Sequence, residues 1–150
     1  MRGLFTLHQN KMVKTIITGM AEGELLEPYD PNLDPEDIKR IHAWARGEDV
    51  VPFDTAGTAI PYLEEIAGME RLVKVAGSYR SQCVSCLIAN SLIKGITAIG
   101  VEDMIIDTDD DGDSLETYVG MSVYLFSLNK VINYNVSHEG NNTIFSPFLK

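Results

Sequence analysis

Apolar positions follow two different periods along the chain, and the change of period divides it. Lys14 to Met20, KTIITGM, is short and β-branched, which predicts a strand. Residues 21–33 carry Pro28 and Pro31, which block a helix, so they form a connector. Asp34-Pro35-Glu36-Asp37 is a helix start. Asp34 is placed as N-cap and Pro35 as the first helical residue, with carboxylates in the turn where the helix dipole favours them. Ile38, Ile41 and Ala45 recur at helical spacing beside Trp44, and Gly47 ends the run. Trp44 is read as core rather than as an exposed interface anchor. Residues 48–57 read as a loop.

A short helix follows from Pro61 to Ala67, stopping at Gly68, and then a strand from Arg71 to Ala76. Ser81 to Lys94 predicts a longer helix whose buried stripe is Val84, Leu87, Ile88, Ser91 and Leu92, ended by Gly95. Its opposite face, with Cys83, Cys86, Ala89 and Ile93, is also rather apolar, so the fold or a second subunit should cover it. From Ile96 the period becomes alternating. Met104–Ile106, Thr117–Ser127, Val131–Val136 and Ile144–Leu149 read as strands, with a Gly- and Asn-rich turn over His138–Asn142. In Thr117–Ser127, Val119, Met121, Val123 and Leu125 share one face, while Tyr118, Tyr124 and Phe126 share the other. The predicted class is α+β: helices mainly in the first two-thirds, then an antiparallel β meander in the C-terminal third.

Composition narrows this further. The chain has 150 residues and a formal charge of −10, from 12 Lys+Arg against 22 Asp+Glu, with 2 Cys. At this length one core can be buried, so residues 1–150 are expected to form a single domain, with 1–14 as an arm and 143–150 as a tail. Two cysteines cannot build a disulfide framework, and no apolar run is long enough to cross a bilayer. The acid is concentrated: residues 22–37 and 102–116 hold 15 of the 22 carboxylates, and no Lys or Arg lies between Lys94 and Lys130. This balance argues against direct nucleic-acid binding and against anionic membranes, and it suits a basic protein partner. Glu22, Glu24, Asp30, Glu36, Asp37, Asp109, Asp110, Asp111 and Asp113 are the residues expected to meet that partner.

Three clusters invite chemistry. Asp107-Thr108-Asp109-Asp110-Asp111-Gly112-Asp113 places oxygens of Asp107, Asp109 and Asp111 at alternate positions before a Gly, as a calcium loop does. The twelfth position, however, is Tyr118 instead of a bidentate Glu, and the flanks alternate like strands, so the stretch reads first as an Asp- and Gly-rich turn. Cys83-Val84-Ser85-Cys86 opens a helix after a strand, where a helix N-terminus can activate a thiol. No Pro lies between Pro61 and Pro147, so the proline that redox folds place beside such cysteines has no counterpart. Buried cysteines packing as small apolar residues are the simpler reading. A cysteine-hydrolase reading pairs Cys83 or Cys86 with His138, the one histidine downstream.

No catalytic set converges in the sequence, whereas acidic surface and apolar helix faces do. The expected function is therefore a non-enzymatic acidic interaction protein: an inhibitor, an immunity-type protein or an accessory or assembly subunit, of the kind viruses and mobile elements encode. It needs no cofactor or metal, acts in the cytoplasm or within a virion, and works as a homo-oligomer or in a hetero-complex. Two alternatives stand beside it. One is a thiol-dependent enzyme or redox protein using Cys83 and Cys86; the other is a calcium-binding module built on Asp107–Asp113.

Overall fold

The computed structural model describes residues 13–21, 27–28, 33–53, 55–106, 113–128 and 130–148. Strand β1 (Lys14–Thr18) lies between β2 (Asp49–Phe53) and β3 (Leu72–Ser78), and pairs with both in parallel. Strand β4 (Thr97–Ile106) adds to β3, again in parallel. The hairpin of β5 (Tyr134–Glu139) and β6 (Asn142–Pro147) then completes a six-stranded sheet, with β6 antiparallel to β4. Across the sheet the order is β2-β1-β3-β4-β6-β5. The class is α+β, with helices mostly in the first two-thirds and the antiparallel pairing of the six-stranded sheet confined to its C-terminal strands; Met20–Ala21 and Glu27–Pro28 form a separate two-stranded antiparallel ladder.

Alternation along β1 and β3 feeds two cores. Ile16, Val73 and Val75 face the larger one, while Ile17 and Ala76 face the smaller. Helix α1 (Pro35–Ala45) covers the smaller core with Ile41, and half-buried Trp44 packs against the same cluster. Asp34 caps this helix as expected, accepting from the Glu36 amide at 3.0 Å. On the other face, α2 (Ala56–Ala59) runs through a 3-10 turn into α3 (Leu63–Ala67). Helix α4 (Ser85–Ile93), entered through a π turn over Arg80–Val84, and helix α5 (Leu115–Phe126) complete that layer. The stripe Val84, Leu87, Ile88, Ser91 and Leu92 is wholly buried, and each apolar member contributes roughly 1.5–3 kcal/mol.

Several elements differ from expectation. Residues 117–127 form helix α5 rather than a strand: Leu115, Tyr118, Val119 and Val123 are buried at helical spacing, and the Ser114 hydroxyl caps the first turn from Thr117 N at 3.2 Å. Alternating Val119, Met121 and Val123 fits either period over so short a window. Burial at helical spacing decides it, and Ser114 adds a cap by satisfying an amide that a helix start leaves open. The loop expected over residues 48–57 contains β2; as an edge strand it tolerates Pro52, whose missing amide faces no neighbour. Strand β4 is longer than Met104–Ile106, and His138 lies within β5 instead of in the turn after it. No helix among the described residues is long and apolar enough to cross a membrane.

Candidate functional site

In an open parallel sheet, ligands bind beyond the carboxyl ends of the strands, where successive connections depart in opposite directions. Here that point lies at β1 and β3. The connection from β1 crosses one face through α1 to reach β2, and the connection from β3 crosses the other face through α4 to reach β4. Two glycines draw these strand ends together. A Cβ on Gly77 would sit 2.1 Å from the Thr18 carbonyl oxygen, and one on Gly19 would sit 2.1 Å from that of Ser78. Both have positive φ, so only glycine serves without strain. The Ser78 hydroxyl closes the junction by donating to the Gly19 carbonyl at 2.9 Å.

Beyond these ends lies a cleft of about 360 Å³. One wall is Thr55, Ala56 and Gly57, where the chain leaves β2 and enters α2; the Thr55 hydroxyl accepts from Thr58 N at 3.3 Å and fixes that start. The opposite wall is Ser81, Gln82, Cys83 and Cys86, where the chain leaves β3 and enters α4. Ser122 and Phe126 of α5 close the third side. None of the described lining residues is charged, so the cleft favours an uncharged ligand with hydrogen-bonding groups for its hydroxyls and amide.

Cys83 and Cys86 thus share one cleft, both half-buried and unpaired. The Ser85 hydroxyl between them donates to the Gln82 carbonyl at 3.2 Å and lies 3.5 Å from the Ser122 hydroxyl, tying the turn to α5. The π turn gathers both Gln82 N and Val84 N onto the Tyr79 carbonyl, at 3.2 and 3.0 Å. Burial pushes the Cys86 thiol up, and the neighbouring Cys83 adds to this, so Cys86 holds its proton more firmly than an ordinary thiol. Between the two walls, the Thr18 hydroxyl ends β1 on the strand face shared with Ile16. It is fully buried and has no hydrogen-bond partner among the described residues. Such an orphaned group is costly unless something supplies a partner.

The remaining sequence-predicted residues lie elsewhere. His138 does not line the cleft: its Nδ1 is 3.4 Å from the Thr143 hydroxyl, which donates to Glu102 at 3.0 Å, and Glu102 pairs with Arg80. Glu36 and Asp37 sit in the first turn of α1 beside Lys39 and Arg40, at 3.5 and 2.6 Å, and Asp113 is exposed before the cap of α5. Glu22, Glu24, Asp30, Asp107, Asp109, Asp110 and Asp111 fall outside the described residues. Among the described residues no three His, Cys, Asp or Glu side chains gather as a metal site. Sequence reasoning missed Thr18, Thr55, Ser81 and Ser122, since nothing local marks them; the parallel pairing of β1 with β2 and β3 brings the first three segments together, and packing of α5 against α4 adds Ser122. Comparisons with protein families, with curated proteins and with solved structures find no match.

Proposed function

We propose that the protein is a thiol-dependent enzyme in which Cys83 attacks an electrophilic carbon of a small, uncharged carbonyl compound. The observation that carries this reading is the position of Cys83: on a strand-to-helix turn, in a cleft over the carboxyl ends of parallel strands. The attack would join the sulfur to the carbonyl carbon and break its bond to the leaving group, which departs with the thiol proton; water would then cleave the thioester, releasing the acid and restoring the thiol. Thr55, Ser81, Gln82 and Ser122 supply the polar atoms that would orient such a ligand, and the uncharged lining disfavours ions. Two free thiols fit a reducing, cytoplasmic setting. Turnover of a panel of neutral amides, esters and thioesters tests the reading. Cys83→Ser should lose activity by on the order of a thousand-fold, with Cys86→Ser retaining most of it. Activity surviving in Cys83→Ser, or none in the wild type, would overturn it.

A second reading, association with a protein partner or another copy, is favoured by an apolar row. Met121 and Leu125 on α5 are exposed, and Leu128 and Val131 beyond it are more than four-fifths exposed. Sedimentation of the wild type against Met121→Ser/Leu125→Ser checks it. The expected result is a complex that the double substitution dissociates, and a monomer in both would count against it.

A further inference from the structure

We propose that Cys83 and Cys86 are a peroxide-responsive pair that closes reversibly into a disulfide and so removes the nucleophile from use. The inference rests on the reading of Cys83 as the accessible nucleophile of the cleft. The chain holds 2 cysteines, so within one molecule a single pairing exists. They are three residues apart at the start of one helix, where such neighbours have Cβ atoms roughly 5–6 Å apart. A disulfide needs about 3.5–4.5 Å, so the turn must tighten by about 1.5 Å. Cys83 stands on the π turn, where the Tyr79 carbonyl accepts from Gln82 N, three residues on, and from Val84 N, five residues on, so both a tighter and a wider loop than the regular ladder flank it. Cys86 is held from the other side: Asn90 Nδ2 donates to its carbonyl at 2.9 Å and lies 4.0 Å from its sulfur.

The order of events follows from this asymmetry. The Cys83 thiolate attacks one oxygen of a peroxide; a sulfur–oxygen bond forms, the oxygen–oxygen bond breaks, and an alcohol or water leaves with the released proton. Cys86, which lines the same cleft one helical turn on, then gives up its proton as its sulfur attacks the sulfenic sulfur of Cys83. The sulfur–sulfur bond forms and the hydroxyl leaves as water with the Cys86 proton. In total the two sulfurs lose two electrons and the peroxide gains them. A dithiol reductant returns both thiols by exchange. Closure ties up the attacking sulfur within the cleft, so turnover would stop under oxidation while the fold is kept.

Treating the whole protein with hydrogen peroxide and reading intact mass and thiol alkylation tests this. The wild type is expected to lose the mass of two hydrogens without dimerising. Iodoacetamide labelling of Cys83 should fall by at least about ten-fold and return after dithiothreitol. Cys86→Ser should instead gain oxygen at Cys83, trapped by dimedone, and then pass to the irreversible acids. A wild type that gains oxygen as Cys86→Ser does would overturn the proposal, as would a disulfide between chains, or two labelled thiols at a dose that oxidises Cys86→Ser. The two readings fail separately. A disulfide without turnover leaves the pair and refutes the enzyme, while turnover without a disulfide does the reverse.

Discussion

At the scale of residues, the cleft depends on a few positions whose neighbours leave no room for change. Gly77→Ala would drive a methyl into the Thr18 backbone at φ +108°, and the expected loss exceeds about 2 kcal/mol by thermal or denaturant unfolding. Gly140, in the turn between β5 and β6, also has positive φ, but nothing lies within 4 Å, so Gly140→Ala should cost only about 1 kcal/mol. Equal losses would mean that the strand junction is not close-packed. Cys86 makes a prediction with a sign. Burial raises its thiol pKa in the folded protein, so folding binds that proton more tightly than the unfolded chain does. The stability this contributes is full below the ordinary thiol range and is lost as pH rises from that range through the raised folded value. Unfolding measured at rising alkaline pH should therefore show the wild type weakening more steeply than Cys86→Ser, and parallel curves would contradict it. The CxxC spacing and its place after a strand were legible in the sequence, but the partners of Cys83 in the cleft were not. They come from segments up to about forty residues away, joined by sheet pairing and by the packing of α5 on α4.

Elements were legible where one local signal was decisive. Asp34-Pro35 with carboxylates behind it specifies the start of α1, and the buried stripe of α4 matches its helical spacing residue for residue. Strand β2 was hidden because Pro52 interrupts a short run, and a parallel edge strand gives no turn signal of its own. Helix α5 was hidden by β-branched and aromatic residues whose propensity tertiary packing overrides. Its cap offers a direct check. Ser114→Ala removes the hydroxyl that satisfies Thr117 N and should cost about 1 kcal/mol of unfolding free energy, while alkylation of Cys83 stays at the wild-type rate. A cost near zero would show that α5 is held by the core alone. A large change at Cys83 would show that the cap, rather than the body of the helix, positions Ser122 and Phe126 against the cleft.

At the scale of the molecule, charge and site chemistry diverge. A protein of net charge −10 carries a cleft whose described lining is uncharged, so its surface repels anions while the cleft offers polar but neutral contacts. Overall acidity could be read from composition, and it directed attention to the carboxylates. The site lies where they are sparse, in a region defined by the crossing of connections at β1 and β3. The most direct test of the central claim uses two reagents alike in size and different in charge. Wild-type protein is treated with iodoacetamide or iodoacetate, and labelling at each cysteine is followed by peptide mass spectrometry. The account predicts that Cys83 reacts at least about ten-fold faster than Cys86 and that the neutral reagent outpaces the anionic one by more than it does on a free thiol. Equal labelling of the two cysteines, or a preference for iodoacetate, would contradict it.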